Sequence, residues 1–287
     1  MTQHLPHPSP FSLSETPAAV SKIRVAVCGG KGKMGHETVN AILNASALQL
    51  VGVASRGSKP QEPVDVYYGG ASQTGLFFDH ALEDMLARVK PDVCVDFTNP
   101  QSVFANASAM IAAGCRPVIG TTGLTVEELA ILDAQLQAKS LGGLVIPNFA
   151  IGAVLMMKFA QEAARYFSHA EIVELHHNRK ADAPSGTAIK TAELMRQHQA
   201  VFGADNAPEK ESLPGARGAV DSAGIHIHSV RLPGFIAHQE VILGGTGEIL
   251  TIRHDSMNRA CFMPGVILAI QKVGNLQGLV YGLEHIL

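Results

Sequence analysis

Apolar and polar positions follow two different rhythms along this chain. Up to residue 149, short β-branched runs trade places with stretches in which apolar residues return at helical spacing. Strand-like runs occupy residues 22–28 (K-I-R-V-A-V-C), 48–54 (L-Q-L-V-G-V-A), 91–97 (P-D-V-C-V-D-F), 117–119 and 144–146. Helical patterns occupy 34–43, 79–89, 102–113 and 125–138, the last with Thr125 as its cap and Glu127 and Glu128 in its first turn. Regular alternation of strand and helix predicts an α/β fold with a doubly wound parallel sheet. The loops that follow the strands of such a sheet gather along one edge, and here they are small, polar and glycine-rich: 29–35, Ser55-Arg56, 97–100, 120–123 and 147–149.

The second rhythm begins after Phe149. A long helix is predicted over 151–166, a strand over 171–175, and a helix from Pro184 to about residue 199. Three strand-like runs follow at 225–231, 238–243 and 248–254, separated by Pro233-Gly234 and by Gly244-Gly245-Thr246-Gly247. They predict an antiparallel sheet, hence a second domain of α+β type. A last helix over 261–273 is apolar on most faces and is expected to return to the first domain.

Composition narrows the field. At 287 residues the chain can bury a substantial core, and 46% hydrophobic with 16% charged residues is the make-up of an ordinary soluble enzyme. A net charge of -3 gives no footing for a nucleic-acid partner, and no apolar run has the length of a membrane span. The four cysteines show no C-x-x-C spacing, and Cys28 and Cys94 lie in apolar strand-like runs, so they read as buried thiols in a reducing compartment. Residues 1–20 contain Pro, His and Ser but neither an apolar core segment nor arginine, which predicts a disordered extension rather than a leader. The expectation is a cytoplasmic protein.

Between the first strand and the first helix stand Gly29, Gly30, Lys31, Gly32, Lys33, Met34 and Gly35. The spacing is G-x-x-G-x-x-G, not G-x-G-x-x-G, yet it meets the same needs: a tight turn, close approach of backbone to a pyrophosphate, and close helix–strand packing. At the end of the second strand a dinucleotide fold selects a free ribose 2′-hydroxyl with an acid. Ser55 and Arg56 stand there instead; Arg56 suits a 2′-phosphate, or it is a surface loop arginine.

The densest chemistry lies in E-L-H-H-N-R-K-A-D-A-P-S-G-T (174–187). His176 and His177 supply proton donors and acceptors at neutral pH, and Lys180 adds a donor or a fixed positive charge. With Asp182 or Ala183 as N-cap and Pro184 in the first turn, the amides of Ser185, Gly186 and Thr187 would face an anion at the positive end of a helix. The other reading of this segment is a polar loop before an ordinary helix. Thirteen histidines invite a metal, but no H-E-x-x-H, C-x-x-C or comparable ligand set is present, and no metal is expected. Nor is there a G-x-S-x-G elbow for hydrolysis.

Taken with D-F-T-N-P (96–100), G-T-T-G (120–123), P-N-F-A-I-G (147–152) and R-L-P-G-F-I-A-H-Q-E-V (231–241), these motifs resemble the 4-hydroxy-tetrahydrodipicolinate reductase (dihydrodipicolinate reductase) family over everything after the first twenty residues. The resemblance implies a Rossmann-type domain (21–147 with 259–287), a substrate-binding and oligomerisation domain (148–258), and a homotetramer. It implies hydride transfer from NAD(P)H to a cyclic unsaturated dicarboxylate in lysine biosynthesis through diaminopimelate. By position, His176 is the proton donor and acceptor, Lys180 a second donor, and His177, Gly186 and Thr187 hold the substrate; Ser185 joins them on the reading of the helix start. Gly29 to Met34, Gly120, Thr121, Thr122, Ile146, Pro147, Asn148 and Phe149 line the cofactor; Arg56 joins them only on its place after the second strand. Many bacterial relatives carry an acid before the arginine where this chain has Ser55, so NADPH is the expected cofactor, with NADH possible. Two other readings stay open: another Rossmann oxidoreductase of a small carboxylated substrate, which as a semialdehyde dehydrogenase would need a cysteine nucleophile, and a non-catalytic NAD(P)-sensing module.

Overall fold

The structure is a computed structural model that describes residues 21–59, 61–68, 74–204, 206–208 and 210–287; the extension expected over 1–20 lies outside them. In chain order the elements of the first half are β1 (Ile23–Cys28), α1 (Lys33–Asn44), β2 (Leu48–Ala54), α2 (Val64–Tyr67), β3 (Phe78–Asp79), α3 (Leu82–Val89), β4 (Val93–Asp96), α4 (Val103–Ala112), β5 (Arg116–Ile119), α5 (Val126–Ala138) and β6 (Gly142–Val145). Then come α6 (Ile151–Ala163), β7 (His169–His176), α7 (Gly186–Arg196), β8 (Ala219–Val220), β9 (His226–Arg231), β10 (Ala237–Gly245), β11 (Glu248–Ser256), α8 (Met263–Lys272) and β12 (Gly278–Tyr281).

The first sheet has seven strands in the order β12-β6-β5-β4-β1-β2-β3, and every pairing in it is parallel. Its strands are buried on both faces, which is why they read as continuous apolar runs. Successive side chains leave opposite faces. Val25, Val27, Val93 and Val95 join one core with Val39 and Ile42 of α1 and Val266 and Ile270 of α8. Ala26, Cys28 and Cys94 face the other way, onto Met85 and Leu86 of α3 and Met110 of α4. Helices therefore cover both faces, as the Rossmann-type reading requires. The Thr125 cap of α5 is present as a full capping box with Glu128.

The second sheet has five strands in the order β11-β10-β7-β9-β8. It is mostly antiparallel, with one parallel pairing, β7 with β9, joined through α7. One face packs on α6 and α7 through Ile172, Ile227, Val241, Leu243, Ala160 and Met195. The opposite face, with Glu171, Val173, His228, Glu240, Ile242 and Arg253, has no helix over it among the described residues. Among those residues no helix is long and apolar enough to cross a membrane.

Three expectations need correction. The helix predicted from Pro184 begins at Gly186, and its N-cap is Ser185, whose hydroxyl accepts from the Ala188 amide at 3.2 Å. The run over 151–166 is helical only to Ala163. After α8 the chain goes on into β12, a four-residue strand too short to show a rhythm, which pairs with β6.

Candidate active site

A cleft of about 600 Å³ opens at the strand ends of the first sheet, lined by Gly29, Gly32, Ser55, Arg56, Thr98 and Asn99 among others. The glycine turn is tight enough to exclude side chains. Gly29 has φ +85°, and a Cβ there would lie 2.4 Å from the Phe97 carbonyl oxygen; one on Gly35 would lie 2.2 Å from the Gly29 carbonyl oxygen. Gly30 is buried under Val53, and Met34 packs against the core. Lys31 is paired with Glu62 at 2.5 Å, so its charge is locally offset. Lys33 and Arg56 are exposed, and Arg56 has no hydrogen bond or ion pair among the described residues.

Beneath this cleft Asp96, fully buried at the end of β4, accepts from Thr98 N (2.9 Å), Thr98 Oγ1 (2.7 Å), Thr121 Oγ1 (2.6 Å) and Asn106 Nδ2 (2.8 Å). Four donors on one carboxylate pin the loops after β4 and β5 to each other. Thr121 also accepts from Thr98 N at 2.8 Å, so its hydroxyl is committed inside the protein. Gly120 lies under the rings of Phe97 and Phe149, Ile146 and Phe149 are core residues, and Thr122, Pro147 and Asn148 reach open space.

That space is a second cavity, of about 540 Å³, which brings the two halves of the chain together. Thr122, Pro147 and Asn148 come from the first sheet's loop edge, His176 from the end of β7, Lys180 from the loop after it, Gly186 and Thr187 from the start of α7, and Tyr281 to Glu284 from the end of β12 and the turn that follows. A neighbouring hollow of about 220 Å³ shares His176, Ser185 and Thr187 and runs on to His238 and His254. His176 is half-buried, and its Nδ1 makes a short hydrogen bond with Glu174 Oε2. This fixes the ring and leaves Nε2 to exchange a proton with the cavity. Burial pulls the imidazole below its ordinary pKa; the Glu174 carboxylate pulls it up, and the charges of Lys180 and Arg231 add to the lowering. Lys180 donates to both oxygens of the exposed Asp182, at 2.8 and 2.7 Å.

Glu174 is itself fully buried, and Arg231 grips it with two hydrogen bonds of 2.8 and 2.7 Å. Burial pushes this carboxyl up, but Arg231, then Ser229 and His176, outweigh it and hold it below the usual carboxylate range. The Ser185 amide, expected to face an anion, donates instead to Glu174 Oε1 at 3.1 Å. The free start of the helix is therefore Gly186 and Thr187. His177 is exposed, accepts from the Arg179 amide at 3.2 Å, and lies on neither cavity wall.

The family model for the N-terminal part of dihydrodipicolinate reductase matches residues 23–149, and that for its C-terminal part matches residues 152–287. This chain belongs to the dihydrodipicolinate reductase family. A 4-hydroxy-tetrahydrodipicolinate reductase of Synechococcus elongatus is 50% identical over 269 residues, covering 92% of this chain and 98% of the relative. One from Listeria monocytogenes is 48% identical over 265 residues, covering 92% of this chain and all (100%) of that one. Among solved structures, a dipicolinate-bound dihydrodipicolinate reductase from a Paenisporosarcina species superposes with a TM-score of 0.82 at 46% identity, over 93% of this chain. An amine dehydrogenase of Mycobacterium smegmatis, at 14% identity and a TM-score of 0.65, shares the fold alone.

Reading by motif located His176, Lys180, Gly186 and Thr187 on one cavity of the reductase fold. It missed Glu174, Arg231 and the Asp96 network. The available signal was an acid in the middle of an apolar strand (Glu174 in E-I-V-E-L) and an arginine at a strand end, which together announce a buried pair. Three of the cysteines offer no thiolate for the alternative chemistry: burial pushes Cys28 up to about 12 and raises Cys94 and Cys115 as well.

Proposed function

We infer that the chain is a 4-hydroxy-tetrahydrodipicolinate reductase using NAD(P)H, acting in lysine biosynthesis through diaminopimelate. The observation that carries this reading is the single cavity in which a carboxylate-steadied histidine and a lysine meet the open start of α7, against the loop edge of a Rossmann-type sheet. Glycines that admit no Cβ, and a cleft whose arginine has no partner among the described residues, fit a dinucleotide held by Gly29, Gly32, Thr98 and Asn99. The bound reduced nicotinamide supplies a hydride.

The chain's own residues do the rest. The amides of Gly186 and Thr187, with the Thr187 hydroxyl, hold one substrate carboxylate at the positive helix end, and Lys180 provides a second cation. The 4-hydroxyl leaves as water to give the conjugated imine, and His176 delivers from Nε2 the proton that the ring takes up with the hydride, while Glu174 keeps Nδ1 occupied. Lys180 can exchange Asp182 for the substrate, because Asp182 is exposed and loses little on release. We assign residues 21–147 with 259–287 to dinucleotide binding and 148–258 to substrate and assembly, in a cytoplasmic homotetramer. The uncovered face of the second sheet, which carries Val173 and Ile242 amid its charges, is the surface that assembly would bury. NADPH is the preferred cofactor, because Arg56 has no partner among the described residues and no acid follows β2 directly.

The test is oxidation of NAD(P)H, followed at 340 nm, with the substrate generated in place by a coupled synthase. Oxidation that appears only when synthase product is present supports the assignment. No oxidation by folded, cofactor-binding protein rejects it.

A further inference from the structure

Glu174 lines neither hollow of the histidine site, yet it connects the histidine, the start of α7 and, through Arg231, the loop that carries Lys180. It lies two residues before His176 on β7, so both side chains leave the same face of the strand. Its Oε2 meets His176 Nδ1 and Arg231 Nη1; its Oε1 meets Arg231 Nη2 and the amide of Ser185, the cap of α7. Arg231 extends the connection by donating to the Asp182 carbonyl at 2.7 Å, which ties down the loop that carries Lys180. Resting on the reading of His176 as the proton-transfer group, we propose that Glu174 is a positioning residue that sets the acid–base histidine and the anion-binding start of α7 in one frame, with Arg231 as its counter-charge.

The physical case is one of geometry. A buried carboxylate has about four acceptor sites; those of Glu174 meet a ring nitrogen, two guanidinium nitrogens and a backbone amide, with the Ser229 hydroxyl of β9 beside them. Each partner comes from a different place in the fold: β7, β9 and the cap of α7. Moving the carboxylate therefore moves the proton donor and the carboxylate cradle together. A buried ion pair kept only for folding needs Arg231 and some donors for its remaining lone pairs; here those donors are the acid–base histidine and the cap of the anion-binding helix. The charged and titratable groups facing the imidazole are Glu174 on its own strand, Arg231 from β9, and Lys180 and Asp182 from the loop. His238 on β10 and His254 on β11 share the adjoining hollow.

Two substitutions separate positioning from folding. Glu174→Gln keeps the shape and removes the charge. Glu174→Asp keeps the buried pair, because the long Arg231 side chain can follow the retracted carboxylate while His176, fixed on the same strand, cannot. For either variant, cofactor affinity should match wild type. The His176 ring, followed by NMR titration without substrate, should titrate at lower pH than in wild type in Glu174→Gln, since a negative neighbour has been removed. Turnover should fall by on the order of 10²-fold or more in both, the scale on which a carboxylate that orients a catalytic histidine acts. A folded Glu174→Asp protein with wild-type turnover overturns the proposal, as does an unmoved titration in Glu174→Gln. Near-wild-type turnover in His176→Gln would instead sink the acid–base reading, while leaving the titration shift in place, so the two failures are distinguishable.

Discussion

Replacing Arg56 with alanine should cost this protein most of its preference for the phosphorylated dinucleotide while leaving the unphosphorylated one nearly untouched. The guanidinium stands at the mouth of the first cleft, directly after β2, with no partner among the described residues to compete for it. Hydrogen bonds to charged groups contribute about 1.5–3 kcal/mol. Arg56 is exposed, so the lower end applies, and about 1.5 kcal/mol corresponds to roughly a tenfold loss of affinity. Lys31 cannot make up the difference, being held by Glu62; Lys33 is exposed, and Glu83 on the same cleft opposes any anion there. Equilibrium titration followed by the fluorescence of bound NADPH or NADH, on wild type and Arg56→Ala, measures this without turnover; the chain has no tryptophan of its own to report. The loss should shrink as salt is raised towards 1 M, where the Debye length falls to about 3 Å and even an exposed contact pair is screened. Equal losses for both cofactors, or no loss for NADPH, would show that Arg56 is only a surface arginine.

His176→Gln should stay folded and keep its cofactor affinity while turnover drops by roughly 10²–10⁴, the usual worth of positioned acid–base catalysis; Thr187→Val should act mainly through substrate KM. The pH dependence has a definite sign. With His176 as donor, kcat/KM should decline as pH rises through an imidazole pKa that burial has lowered, and a bound dicarboxylate, adding negative charge beside the ring, should move the matching limb of kcat to higher pH. Coincident limbs in the two profiles would argue that no anion sits next to the ring. Thr121→Val removes a donor from the buried Asp96 and an acceptor from the Thr98 amide, and should cost about 2 kcal/mol in denaturant unfolding. A loss under a few tenths would mean that water replaces the hydroxyl.

The first sheet was legible because its strands are buried on both faces and its helices carry their own signals, such as the Thr125–Glu128 capping box. The start of α7 was not. Asp182 and Ser185 are both good caps, and local preference for Pro in the first turn favoured the earlier one. What decided between them is Glu174, eleven positions upstream, which takes the Ser185 amide. The same holds for the parallel pairing of β7 with β9. Strand, helix and strand follow one another there as they do in the first half, but the long polar loop up to residue 218 hides the unit among antiparallel neighbours. The histidine site was legible as a motif, whereas its electrostatics were not, because Arg231 lies 57 residues from the carboxylate it holds.

The pairing of β12 with β6 bears on how the chain reaches this state. Everything that builds the second sheet is translated between those two strands. Until β12 emerges from the ribosome, β6 is a bare edge with unpaired backbone groups, and the apolar stripe that α8 will cover is open to water. The first half of the chain is thus a nascent domain that waits for its own closure, exposed to chaperones and to wrong partners in the interval. Cutting the protein in two after residue 147 would reproduce that state permanently.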